Sequence, residues 1–286
     1  EVYGKMTPIQ VSTVDFRSEA SSVEFVDSLR KTGFAVVKNH PINMDLVNQV
    51  YSLWSNFFSS TEKHNYLFHT IKQDGYFPFK SEHAKGCADK DLKEFYHIYP
   101  WGRCPESIEG KTRLLYSQLV DLASLLLTWI EEEVPDGISS KFSMPLRKMV
   151  EDSPQNLMRI INYPAISGQE NPNAVRAAAH EDINLITVLC ASTESGLQAQ
   201  DIDGNWHDIQ CDPGSIAVNT GDMLQMCSDG YFPSTTHRVI NPEADKMNVA
   251  RMSMPLFLHP NDDVVLSDKH TAASYLFERL QEIGLK

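Results

Sequence analysis

Three metal-capable side chains set the terms for this chain. His180 and Asp182 are separated by one residue in Ala179-His180-Glu181-Asp182-Ile183-Asn184, at the mouth of an apolar run. Side chains at i and i+2 of an extended strand project from one face, so the pair can reach one ion together. A lone His-x-Asp is weak evidence, because a chain of this composition yields about one by chance. His237 changes its weight, for it lies in a second strand-like run, Ser234-Thr235-Thr236-His237-Arg238-Val239-Ile240. An antiparallel sandwich can set the two runs opposite each other and cap one side of an ion with two imidazoles and a carboxylate.

That ligand set leaves up to three coordination positions open, which is the arrangement of non-haem iron(II) oxygenases. Zinc is the second candidate metal, but catalytic zinc needs a base beside its water, and no His-Glu-x-x-His helix is present. Further on, Arg251-Met252-Ser253 repeats the i, i+2 geometry with a guanidinium and a hydroxyl, which together make an anion socket. A buried Arg is costly unless a carboxylate meets it, and a bidentate pair with an added hydroxyl donor suits a dicarboxylate co-substrate. The competing reading is an ion pair with a core Asp or Glu.

Composition narrows the partners. The chain has 286 residues, 42% hydrophobic and 22% charged, as expected of an ordinary soluble globular protein folded as a single domain. A net charge of −13 repels phosphate backbones and anionic lipid, so neither nucleic acid nor a membrane surface is an expected partner. Cys87, Cys104, Cys190, Cys211 and Cys227 are odd in number and without Cys-x-x-Cys spacing, which points to a reducing, cytoplasmic setting rather than a disulfide framework. No run approaches the roughly 18 apolar residues of a membrane span. The start lacks a signal-peptide core, and the missing initiator Met leaves a removed leader open. Composition is silent on oligomeric state.

The elements that must position these residues follow in order. Pro8–Val11 reads as a short strand, Glu19–Lys31 as a helix stopped by Gly33, and Phe34–Lys38 as a β-branched strand. Leu46, Val47, Val50, Leu53, Trp54, Phe57 and Phe58 form one face of a helix for which Asn43 is the N-cap. From Gly75 to Arg103 the periodicity disappears while aromatic residues accumulate, the mark of a loop-rich pocket wall; Tyr76, Phe95, His97 and Arg103 are candidates to line it. A leucine-rich helix spans about Lys111–Glu133, and Ser143 and Pro145 begin a short one. Strands are expected at Leu157–Tyr163, Asn184–Ala191, Gly196–Ala199, Trp206–Ile209, Ser215–Asn219, Thr236–Asn241 and Arg251–Leu258. A final helix is capped by Ser267 and buries Tyr275, Leu276 and Leu280. The fold class is therefore mainly β with flanking helices: a helical N-terminal region (1–154), a jelly-roll core (155–260) and a C-terminal helix (261–286).

In their order and spacing, His180-x-Asp182, His237 and Arg251-x-Ser253 resemble the isopenicillin N synthase-like iron(II)/2-oxoglutarate-dependent oxygenases. Gly33-Phe34 through Val37-Lys38-Asn39-His40, Ile161-Asn162-Tyr163-Pro164, Gly196-Leu197-Gln198 and Val218-Asn219-Thr220-Gly221-Asp222 also resemble family segments, so coverage runs from about Pro8 to Pro260. Gly75-Tyr76-Phe77-Pro78-Phe79 and Asp91–His97 look most like the microbial members. Aligned on Pro164, Ile161 stands where many plant relatives carry the Asn of N-Y-Y-P.

The resemblance implies a double-stranded β-helix core in which His180, Asp182 and His237 bind Fe(II), and Arg251, Ser253 and Tyr163 hold 2-oxoglutarate. Phe257 would face substrate. It implies oxidation of a small molecule by O2, with succinate and CO2 released and ascorbate as a possible reductant. Two alternatives stay open: a 2-oxoglutarate-independent non-haem iron oxidase of the same fold, and a catalytically silent jelly roll that binds a small ligand. Strand alternation turns Glu181 away from its two neighbours, so Glu181→Ala is expected to keep its iron when metal content is measured; an iron-free variant would show the register to be wrong.

Overall fold

Gly33 ends the first helix and starts the sheet, because its left-handed backbone (φ 73°) caps the helix and its amide donates to the Leu29 carbonyl. The computed structural model describes residues 9–82 and 88–283. Its first elements are β1 (Thr13–Asp15), α1 (Ser21–Thr32), β2 (Phe34–Lys38) and α2 (Met44–Ser59), with β1 parallel to β2. Asn43 caps α2 as expected, its side chain accepting from the Leu46 amide. The strand expected at Pro8–Val11 is not there: Pro8 lies outside the described residues, and pairing begins at Thr13.

The aromatic stretch expected to be loop contains β3 (Gly75–Phe77) and β4 (Glu94–Ile98), which pair with each other. Every residue of both is buried, and a strand covered on both faces shows no polar alternation for the sequence to reveal. Next come α3 (Glu106–Glu133), α4 (Asp136–Ser139) and α5 (Leu146–Val150). Helix α3 starts a turn earlier than expected, with Glu106 and Glu109 near its positive end. It is long and apolar enough on average to cross a membrane. Here its leucines pack against α1, α2, α5 and the sheet, as in a core helix.

The remaining strands are β5 (Leu157–Tyr163), β6 (Ala177–His180), β7 (Ile186–Cys190), β8 (Leu197–Gln200), β9 (Trp206–Asp208), β10 (Ile216–Thr220), β11 (His237–Val239), β12 (Arg251–Ser253) and β13 (Pro255–Leu258). The expected Arg251–Leu258 strand is divided at Met254, and both halves pair with β5. Two sheets result. The larger runs β1-β2-β10-β7-β13-β5-β4-β3, with β12 also on β5, and so interleaves N-terminal strands with those of the core. The smaller runs β6-β11-β8-β9.

The sheets face each other through Phe77, Phe95, Ile161 and Tyr163 against Ala177 and Val239, and through Phe34 and Val36 against Ala199. On its other face the larger sheet turns Met158, Ile160, Val188 and Val218 into the main core beneath the helices. This is a jelly-roll sandwich with helical packing on one side. The last helix, α7 (Ala272–Glu282), is capped by Thr271 in a reciprocal pair with Ser274, not by Ser267. Ser267 instead accepts from the Lys269 and His270 amides in the preceding turn.

One short helix, α6 (Asp222–Cys227), has no counterpart in the sequence reading, because six residues are too few to display a period. Its leading amides donate to the segment that carries Asp182: Asp222 to the Asp182 carbonyl at 2.7 Å and Met223 to the Asn184 carbonyl at 3.1 Å. Gly221 permits that approach, since a Cβ there would lie 2.2 Å from the Asn184 carbonyl oxygen. Gly221→Ala should therefore lower unfolding stability by about 1–3 kcal/mol in urea titrations and reduce bound metal. An unchanged midpoint would show that the two segments are not tightly apposed.

Candidate active site

His180 closes β6 and His237 opens β11, and the antiparallel register sets them directly opposite. Their ring centroids are 4.5 Å apart. Asp182 Oδ1 lies 3.7 Å from His180 Nε2 and 3.5 Å from His237 Nε2, and the candidate ligand atoms of all three residues fall within 4.8 Å of one another. Asp182 is not on the strand with His180, as the spacing suggested. It follows β6 in the connection to β7, and the hydrogen bonds from α6 set its place. Glu181 turns away from the metal-capable cluster and accepts from Thr236 Oγ1 at 2.8 Å.

Each side chain is oriented by a further partner. His180 Nδ1 lies 2.8 Å from the Ala178 carbonyl and His237 Nδ1 lies 3.0 Å from the Thr235 carbonyl. A carbonyl only accepts, so both Nδ1 atoms carry hydrogen and both Nε2 atoms face Asp182 as potential ligands. Asp182 Oδ2 accepts from Thr187 Oγ1 at 2.6 Å and from Asn219 Nδ2 at 2.8 Å, which leaves Oδ1 free for a metal. Burial alone would raise the Asp182 pKa, but His237, His180 and these two donors outweigh it and hold the group below its ordinary value. Enclosure and the neighbouring His237 lower the His180 pKa, favouring the neutral form that ligates.

At the other end of the sandwich Arg251 is buried and its guanidinium sits 5.2 Å from the Tyr163 ring centre, its partner across the β12–β5 pair. Its Nε donates to the Glu194 and Ser195 carbonyls at 2.9 and 3.2 Å, and Nη2 to Ser192 Oγ at 2.9 Å. Nη1 has no partner. Among the described residues no carboxylate lies within salt-bridge distance of Arg251, and the charge of Glu194 acts on it only at longer range. Ser253, also buried, pairs with Ile161 on the same strand. Asn162 faces the other way and donates to Glu94 Oε1 at 2.9 Å. An unpartnered, desolvated guanidinium nitrogen fits a carboxylate, as the three free ligand atoms fit a metal ion.

A cavity of about 650 Å³ opens beside His180 and Asp182. Phe95, His97 and Phe257 line it, as expected. Tyr76 and Arg103 do not. Alternation along β3 sends Tyr76 toward the helices, where its hydroxyl donates to Glu94 Oε2 at 2.5 Å, and turns Phe77 to the cavity instead. Arg103 is held by Asp74, Nε to Oδ2 at 2.9 Å, and by two backbone carbonyls, an arrangement that fastens a loop. His207 is half-buried against Asp201 at 2.7 Å.

Contributors to the cavity that escaped the sequence reading include Arg159, Lys93 and His259, and from α7 Leu276 and Leu280. Arg159 stacks 4.4 Å over Phe95, donates Nε to His97 Nε2 at 3.0 Å and pairs with Glu82 at 3.0 Å; Lys93 meets Glu82 at 2.8 Å and Asp91 at 2.9 Å. His259 presents a buried Nδ1 without a partner. Leu276 and Leu280 bring α7 to the rim. Period-two counting from Tyr163 back to Arg159, and from Phe257 on to His259, carries the signal for Arg159 and His259.

Residues 155–260 match the model of the 2OG-Fe(II) oxygenase superfamily, and residues 9–116 match one described as the N-terminal region of non-haem dioxygenases in morphine synthesis. An assigned oxygenase from Shewanella oneidensis has a crystal structure that superposes with TM-score 0.88 at 50% identity, covering 97% of this chain and 100% of that one. A 2OG-Fe(II) oxygenase family protein from Caulobacter crescentus superposes with TM-score 0.79 at 27% identity, covering 97% and 100%. Homoarginine-6-hydroxylase 2-ODD-C23.2 of Arabidopsis thaliana is 29% identical over 248 residues, 79% of this chain and 68% of that one.

His97 gives the cavity a pH signature. Burial, then the charge of Arg159, pulls its pKa down to about 3. Unfolded histidine takes up a proton near pH 6.5, so below that pH the unfolded chain binds more protons and stability falls. One such group contributes a slope of about 1.4 kcal/mol per pH unit between the two values. His97→Gln should flatten the fall in urea stability between pH 6 and 4 by up to that amount; identical slopes would show that His97 titrates freely.

Proposed function

Because the chain belongs to the 2OG-Fe(II) oxygenase superfamily, and is an iron(II)- and 2-oxoglutarate-dependent oxygenase of the isopenicillin N synthase-like kind, we propose that His180, Asp182 and His237 hold its iron. Arg251, Ser253 and Tyr163 then receive the far carboxylate of 2-oxoglutarate. The observation that carries this reading is the pairing of two complementary ends within one sandwich. Three ligand atoms converge at one end, and a buried guanidinium whose Nη1 has no hydrogen-bond partner among the described residues waits at the other.

When bound, iron and 2-oxoglutarate supply the activation of O2, with succinate and CO2 as co-products. The chain's own residues do the rest. The Thr187 and Asn219 donors keep Asp182 Oδ1 aimed at the metal position, and the Ala178 and Thr235 carbonyls fix both imidazoles, so the ligands need little rearrangement. Confining three ligands to one side leaves the opposite side to the co-substrate and the cavity. Phe77, Phe95 and Phe257 present apolar surface there and exclude water, which protects a reactive centre from unproductive proton and electron transfer.

The substrate we infer is a small molecule sized to a cavity of about 650 Å³. Its apolar part would lie against Phe77 and Phe257, and its polar part would be read by Arg159, His97 and His259. Arg159 and Lys93 are offset by Glu82 and Asp91, so this wall is balanced in charge and suits a substrate without large net charge. A net charge of −13 supports the expectation that nucleic acid and anionic membranes are not partners. The free state of Cys104, Cys190, Cys211 and Cys227 supports a reducing, cytoplasmic setting.

The 2-oxoglutarate-independent oxidase reading gives Arg251 no anion, and a silent binding module gives no use for three free ligand atoms. Anaerobic addition of 2-oxoglutarate to the Fe(II)-loaded protein should develop a visible charge-transfer band, and His237→Ala should lose both iron and succinate release, the latter by more than about 100-fold. O2 consumption that persists without 2-oxoglutarate would favour the oxidase; an unaltered ligand affinity in iron-free His237→Ala protein, with no turnover in either form, would favour the silent module.

A further inference from the structure

A second buried arginine belongs to the same end of the sandwich as Arg251. Arg176 precedes β6, four positions before His180, and is only 1% exposed, against 2% for Arg251. Its backbone amide donates to Asn241 Oδ1 at 3.0 Å, and its Nη2 donates to the Val249 carbonyl at 2.7 Å, two residues before Arg251. Its Nε has no hydrogen-bond partner among the described residues. Among the described residues no carboxylate forms a salt bridge with Arg176 either.

Two desolvated guanidiniums in one neighbourhood, each with an unused donor and neither in a salt bridge with a described carboxylate, are costly as they stand, the charge of Glu194 reaching them only at longer range. Burial and the charge of Arg251 both press the Arg176 pKa below its ordinary value, which places the two charges within each other's field. An anion between them removes the cost. Arg251 has its Nε and Nη2 already engaged and offers Nη1, while a carboxylate has two oxygens and about four acceptor positions to fill. One guanidinium nitrogen and the Ser253 hydroxyl do not exhaust them.

We propose that Arg176 is the second guanidinium of the co-substrate socket, so that the far carboxylate of 2-oxoglutarate is received between Arg176 and Arg251. This assignment rests on the 2-oxoglutarate reading above and sharpens it. Arg176 contributes to the grip on a five-carbon 2-oxo diacid and contributes nothing to a 2-oxo monoacid, which chelates through its 1-carboxylate and keto oxygen alone. Its position just before the strand that ends in His180 ties the socket to the metal ligands through four residues of one backbone.

The test compares two ligands on the Fe(II)-loaded protein under anaerobic conditions, by the charge-transfer band and by calorimetry: 2-oxoglutarate, and 2-oxopentanoate, in which a methyl group replaces the far carboxylate. Arg176→Met should weaken 2-oxoglutarate by ~10-fold or more, leave 2-oxopentanoate within about twofold, and retain its iron. Arg176→Lys, which keeps the charge and loses the Nε donor, should show the same selective loss at about threefold or more, and it carries the comparison if the Met variant does not fold. Equal weakening of both ligands, or an unchanged 2-oxoglutarate affinity in the folded variants, would overturn the assignment. Failure of the unaltered protein to bind 2-oxoglutarate would overturn the functional reading itself, and this assignment with it.

Discussion

The carboxylate of Asp182 divides its two oxygens, and most of the site follows from that division. Oδ2 is committed to Thr187 on β7 and Asn219 on β10, neighbours in register across the larger sheet. Oδ1 is thereby fixed between two imidazoles that belong to the smaller sheet. One buried side chain thus joins the two layers at the point where they must be held apart by the width of a metal ion. Its own backbone carbonyl is taken by the first amide of α6, so neither end of the residue is free to drift. A buried carboxylate is expensive unless every lone pair is used, and here the unused one is directed at the ligand position.

The two ends of the sandwich solve opposite electrostatic problems. At the metal end His180 is held toward its neutral form, so that a cation can be added without like-charge repulsion. At the co-substrate end the chain does the reverse, burying permanently charged arginines with donors left over. The distance between the ends is spanned by β5 and β6, whose residues Tyr163 and Ala177 pack in one apolar cluster between the sheets. Rigid strands suit this task, because a chelating diacid tolerates little change in the separation of its two anchors.

Much of this was legible in the residues, and the misses have physical causes. His180, Asp182, His237, Arg251 and Ser253 could be placed together because short strands with alternating burial announce their faces. The break between β6 and Asp182 was not visible: a strand continuing through it and a turn anchored by α6 give the same i, i+2 convergence. Strands β3 and β4 were hidden because both faces are buried, and without that register Tyr76 and Phe77 could not be told apart. Arg103 looked like a ligand for substrate because Asp74, its partner, is distant in sequence. Arg159 and His259 were within reach, since the period that placed Tyr163 and Phe257 also places them.

A chain with net charge −13 must still attract an anionic co-substrate, and its architecture shows how. A diffuse acidic surface weakly repels 2-oxoglutarate at long range, an effect that physiological salt screens within about 8 Å. The buried arginines act at contact distance in a medium that water and salt do not reach, where each charge counts for several times its worth at the surface. Selectivity for a diacid therefore does not need a basic exterior. It needs cations whose desolvation has already been borne in folding, which is what the proposed socket of Arg251 and Arg176 would supply.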